Sequence, residues 1–171
     1  MKVAELQTNE YAPYFSTYLQ LVDDLELIDG LETTIQDFET FLMHIPQEKQ
    51  EYSYAPGKWT IKDIMQHLID TERILAYRAL RFARKDQTPL SGFEEDDYAQ
   101  TAFANQRSFH DLMEEYKAVR KATLFLFASF SEEQFKQIGM ASEKNISVMA
   151  LGFIIIGHQL HHQKVIRERY L

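Results

Sequence analysis

The sequence predicts an all-α domain, and three observations predict it. Proline and glycine are scarce, four and six residues in 171, and they fall where helices should stop. No alternating strand pattern persists. Leu, Ala, Glu, Lys and Gln, which favour helix, dominate the segments between the breakers. The length fits one domain over residues 1–171. At 45% hydrophobic and 26% charged, the chain can bury a sizeable core without staples.

The first helical region runs from about Tyr14 to His44, with Asp29-Gly30 as a C-cap where it breaks. Its second half sets Leu31, Ile35, Phe38, Phe41, Leu42 and Ile45 at three- and four-residue spacing, an amphipathic stripe. Pro46 and a polar stretch with Pro56-Gly57 form a connection. The second helix has Thr60 as N-cap, with Asp63 completing a capping box, and continues to about Arg84. Trp59, just before this cap, reads as a hydrophobic staple. A loop from Asp86 to Asp97 carries the acidic Glu94-Glu95-Asp96-Asp97, followed by Tyr98 at a position that could line a pocket. The third helix begins at Ser108 and ends near Phe130, and Ser131 caps a short helix after it. Gly139 and the polar Ser142-Glu143-Lys144-Asn145 make the next connection. Ser147 caps the last helix, which reaches about Tyr170. Four long amphipathic helices with modest connections predict a four-helix bundle with short additional helices.

Composition removes several function classes. There is no cysteine, so there is no disulfide, thiolate metal site or cysteine nucleophile. A metal must be held by His, Asp or Glu. A net charge of −8 argues against a nucleic-acid partner, which needs clustered Lys and Arg. The one basic patch, Arg78-Ala-Leu-Arg81-Phe-Ala-Arg84-Lys85, reads as a charged helix end. The longest tight apolar run, Val148 to Ile156, is far short of the ~20 residues needed to cross a membrane. The first ten residues show no signal-peptide core. A cytoplasmic protein with no membrane partner is expected.

Of six histidines, His44 and His110 stand alone and carry no claim. His158 and His162 lie four apart on the last helix, one turn apart on one face. That face also holds Leu151, Ile154, Ile155, Val165 and Ile166, so the pair sits in an apolar stripe. Burying unpaired rings there costs roughly 1–3 kcal/mol each. Two readings relieve the cost: one metal ion shared by both rings, or a hydrogen bond from each ring to a Glu, a Tyr or a carbonyl. His161 lies to the side of the same face. His67 is a third candidate, on the second helix beside Ile64, Thr71, Ile74 and Arg78. Asp70 falls on the outer side of that helix and Glu72 on the other flank. Each reads as a surface or salt-bridge residue that could also orient a histidine.

The segment Pro56-Gly57-Lys58-Trp59-Thr60-Ile61 leading into His67-Leu68-Ile69-Asp70-Thr71-Glu72-Arg73, followed much later by Gly157-His158-Gln159-Leu160-His161-His162-Gln163, resembles the DinB-like superfamily. These are the damage-inducible and YfiT-like proteins, distinct from the DNA polymerase that shares the DinB name. The resemblance spans from about Tyr18 to the end of the chain. It implies a four-helix bundle, usually a homodimer, with one divalent metal held by three histidines, here His67, His158 and His162. Some relatives are S-transferases using low-molecular-weight thiols, and others are designated metal-dependent hydrolases.

A three-histidine ion with an open position, zinc or nickel on ligand chemistry, lowers the pKa of a bound water toward ~7 or activates a thiol in the same way. The expected function is therefore a metal-dependent hydrolase or thiol S-transferase acting on a small molecule, with a low-molecular-weight thiol as co-substrate in the second case. Arg78 or Arg81 could bind carboxylates of that thiol. Arg78 lies on the His67 side, eleven residues on or roughly 16 Å along the axis, and surface salt bridging is its simpler reading. The alternative function is a non-catalytic, metal-binding, stress-related dimer.

Overall fold

The computed structural model describes all residues from Met1 to Leu171. Its helices are α1 (Ser16–Leu19), α2 (Leu27–Met43), α3 (Ile61–Ala83), α4 (Glu95–Ala102), α5 (Phe109–Ala128), α6 (Glu132–Phe135) and α7 (Val148–Arg169). A two-stranded antiparallel sheet, β1 (Ile138–Ala141) and β2 (Lys144–Ser147), precedes α7. Helices α2, α3, α5 and α7 form the four-helix bundle. α5 and α7 each pack against both α2 and α3, so α2 and α3 face each other across a diagonal. The connections after α2 and after α5 must therefore cross an end of the bundle.

The predicted caps are present. Thr60 Oγ1 accepts from the Asp63 backbone N–H at 3.1 Å, and Asp63 Oδ2 accepts from the Thr60 N–H at 2.9 Å. Ser108 accepts from Asp111 N–H, Ser147 from Ala150 N–H, and Ser131 forms a capping box with Gln134. Three expectations are corrected. The first helical region breaks at 20–26, and Gly30 lies in the opening turns of α2 rather than at a C-cap. Its missing side chain serves packing, since a Cβ there would stand 2.9 Å from Ile156 Cδ1. The loop predicted through Asp97 ends early, because α4 starts at Glu95. Glu95, Asp96 and Asp97 fill its first turn, where carboxylates complement the helix dipole. The connection at 138–147 is a hairpin. Ser142 and Glu143 both take positive φ, 50° and 61°, as a two-residue type I′ turn requires. Neither is the Asn or Gly that usually marks such a turn.

The core is divided along the bundle axis. One apolar cluster contains Leu27 and Leu31 of α2, Leu75 to Ala83 of α3, Phe127 of α5 and the first half of α7. The other contains Phe38 and Leu42, Ile61 to Ile69, Phe109 to Tyr116, and Ile166 near the end of α7. Between them each long helix contributes buried polar residues: Thr34, Glu72, Arg120 and Gln159. A polar layer thus crosses the waist of the bundle, and the histidines lie at its level.

Candidate metal centre

His67 comes from the middle of α3, and His158 and His162 from α7, which packs along it. The four-residue spacing puts the last two on one face. Helix packing brings His67 to them across 91 residues of sequence. His67 Nε2 lies 3.0 Å from His158 Nε2, and His162 Nε2 lies 3.1 Å from the same atom. His67 and His158 are buried and His162 is partly exposed. No carboxylate or further histidine joins the group.

A site for a metal makes demands that can be checked. With metal–nitrogen bonds of about 2.0–2.1 Å in tetrahedral geometry, ligand nitrogens stand about 3.3–3.4 Å apart. The two shortest separations here are close to that. The rings must also be neutral. Burial, the dominant effect, pushes His67 down to about 4 against a partial opposing pull from the Asp96 carboxylate. Burial, then the neighbouring histidines, hold His158 and His162 well below the ordinary value. Lone pairs are therefore available at neutral pH. His162 Nδ1 is the one buried side-chain polar atom without a hydrogen-bond partner. The contact from Thr71 Oγ1 to His67 Nδ1 is long, at 3.5 Å. The trio is therefore not a self-satisfied hydrogen-bond network, and its donor set fits a divalent ion.

Aromatic rings wall the trio. Trp59, read as a staple, sits with its ring 4.7 Å from that of His67 and is stacked near His162 at 6.5 Å. The Tyr18 ring meets His158 and His161 edge-on, each at 5.3 Å. Tyr18 comes this close because residue 157 is glycine: a Cβ there would stand 2.3 Å from the Tyr18 carbonyl oxygen. His161 is thus a flanking, half-buried ring, packed on Tyr18 and His162. His44 is bonded to the Thr40 carbonyl, and His110 is exposed; both lie outside the cluster.

Two cavities adjoin the trio. One, of about 270 Å³, is bordered by Trp59, Asp96, His161 and His162. The other, of about 150 Å³, is bordered by His67, His158, Tyr18, Arg78 and Glu95. The first turn of α4 supplies a carboxylate to each side.

Asp70 and Glu72 keep the salt-bridge reading, with Arg73 and Arg120, while Arg78 and Tyr98 depart from theirs. Asp70 is half-buried and accepts from Gln66 Nε2 at 3.0 Å. Glu72 is buried and paired with Arg120. Arg78 is 6% exposed, which overturns its reading as a surface salt bridge. Tyr98 is exposed and packs on Phe93, and it borders neither cavity beside the trio. Glu95 and Asp96 carried no site prediction. The signal available for them was a run of acids opening a helix.

Known proteins share this architecture. YfiT from Bacillus subtilis, described as a probable metal-dependent hydrolase with an unusual four-helix bundle topology, superposes with a TM-score of 0.75 at 15% identity, over 83% of this chain and 82% of that one. No curated protein matches the sequence. The DinB superfamily matches residues 30–166, which hold all three histidines and all four long helices except the first three residues of α2 and the last three of α7. The chain belongs to the DinB superfamily.

Proposed function

We propose that this protein binds one divalent ion through His67, His158 and His162 and is a metal-dependent enzyme acting on a small molecule. One observation carries the reading: three neutral imidazole nitrogens converge with no fourth protein ligand, between two cavities. That donor set is typical of sites that keep a position open for substrate. Zinc or nickel suits the ligands. The ion supplies Lewis acidity, which brings the pKa of a water or thiol toward neutrality.

The chain's own groups then have definite tasks. His67 and His158 present the reacting group to the smaller cavity. Tyr18 and Trp59 exclude water from two sides. Glu95 is the carboxylate that shares this cavity with the ligands. Burial first, then Asp96 and Glu94, raise its pKa, as suits a group that accepts and returns a proton. Hydrolysis needs this carboxylate. Thiol transfer needs it only to deprotonate the incoming thiol. The description of YfiT as a probable metal-dependent hydrolase favours hydrolysis as the first reaction to assay. A cytoplasmic homodimer belongs to the same proposal.

Elemental analysis of protein purified without chelators is the first test. One ion per chain is expected, lost in His158→Ala with helical content kept. A panel of ester and amide substrates and a screen of low-molecular-weight thiols with electrophiles follow. Activity should vanish in His67→Ala and fall about 10²–10⁴-fold in Glu95→Gln. A protein that neither carries an ion nor takes up zinc or nickel does not have this function. Light scattering reads the dimer.

A further inference from the structure

The smaller cavity contains a group that the metal reading does not use. Its floor is one face of α3, where His67, Thr71, Leu75 and Arg78 follow at four-, four- and three-residue steps. Tyr14, Tyr18 and Phe93 line it opposite, and Ile154 of α7 lies one turn from His158. The cavity thus runs from the histidines to a guanidinium along an apolar and aromatic wall.

Arg78 is 6% exposed and forms no ion pair. Its Nη2 donates to the Ser91 carbonyl at 2.9 Å and to Ser142 Oγ at 3.2 Å. These bonds fix the guanidinium between the loop before α4 and the hairpin turn. Nε and Nη1 have no protein acceptor and, unlike His162 Nδ1, keep some exposure, in a side chain that lines the cavity. Arg73, Arg81, Arg107 and Arg120 all meet a carboxylate. Glu95 borders the same cavity but does not pair with Arg78. A buried cation is costly without a counter-charge, and a planar fork with free N–H groups matches a carboxylate.

We propose that this cavity is a two-ended substrate site, in which Arg78 binds a carboxylate while the ligand's reacting group lies at His67 and His158. The substrate class is a slender carboxylic acid with a metal-binding group at its other end and an apolar middle. The inference rests on the metal reading of the histidine trio. The 16 Å rise from residue 67 to 78, less the backward lean of a long arginine side chain, sets a span of roughly 10 Å.

The test uses cobalt-loaded protein and ω-mercaptocarboxylates of increasing chain length, each paired with the thiol alcohol of equal length. The thiolate-to-cobalt absorption band reports binding. At the matching length the carboxylate should bind about tenfold or more tightly than the alcohol, against the general repulsion of a chain of net charge −8. Arg78→Gln should erase the preference, and Arg78→Lys should keep part of it. Equal binding of acid and alcohol at every length overturns the inference, and so does a preference that survives Arg78→Gln. The wild-type comparison needs no variant, so misfolding cannot mask the answer. Cobalt uptake is read separately from the visible spectrum. If there is none, the metal reading fails, and Arg78 is then tested by calorimetry of octanoate against octanol on metal-free protein. A preference for octanoate supports the carboxylate subsite, and its absence overturns it.

Discussion

Two buried polar clusters occupy the same level of this bundle, and they are finished differently. In the first, Arg120 Nε and Nη2 hold both oxygens of Glu72 at 2.9–3.1 Å, and Nη1 reaches Thr34 and Gln159 at 3.0 Å. Tyr116 O–H donates to Gln159 Oε1, and Gln159 Nε2 donates to the Thr34 carbonyl. Burial lowers the guanidinium pKa, but Glu72 and Tyr116 outweigh it, so Arg120 stays charged. In the second, three histidines point nitrogens at one another and one buried ring atom has no partner. The same helices supply both: Gln159 adjoins His158, and Glu72 lies five residues past His67. A closed network in a core fixes how helices pack. An unclosed one, in a core that otherwise satisfies its polar groups, marks the place where something else binds.

The contrast can be broken or sharpened by experiment. The largest effect should come from Arg120→Met, which leaves Glu72 buried without its counter-charge. A loss of about 3–5 kcal/mol is expected, read as the shift in urea midpoint. A loss under ~1 kcal/mol would mean that the network is not structural.

Acid should act on the other cluster. In metal-free protein the unfolded chain protonates its histidines as pH falls through 6.5, while His67 stays neutral to about 4. The unfolded state then binds more protons, so stability is present above pH 6.5 and is lost between 6.5 and 4. Urea midpoints across this range should fall, and a flat profile would show that the rings are not buried neutral.

A smaller change, of opposite sign to the Arg120 variant, is expected from His162→Leu. Metal-free protein should hold its stability or gain about 1–2 kcal/mol, because the ring with the unpartnered Nδ1 is removed while His67 and His158 keep each other as partners, and metal uptake disappears. The smallest effect is that of Tyr116→Phe, about 1 kcal/mol for one lost hydrogen bond, with metal content unchanged.

Much of this was legible because it is local. Apolar residues three and four apart announced α2, and Ser or Thr N-caps placed the starts of α3, α5, α6 and α7. His158 and His162 were legible as a pair for the same reason. Where local signals were weak, reading failed: a hairpin turn made of Ser142-Glu143, and a short acidic helix with no side-chain cap at Glu94. Helical phase allows Glu72 a salt bridge and Arg78 a surface one but leaves the burial of both unread, because phase locates a face and not what covers it. Glu72 is covered by Arg120, 48 residues away, and Arg78 by the loop and hairpin turn that it tethers.

The sequence by itself determined the helices, their caps, the histidine pair and, through two motifs, the family. Each depends on residues a few positions apart, whose geometry follows from the helical repeat. Only the tertiary structure decided that α3 and α7 are neighbours, that His67 meets the pair across 91 residues, and that Arg78 shares a cavity with His67 and His158. Such contacts come from the packing of whole helix faces, and many sequences with the same periodicity could pack in another order.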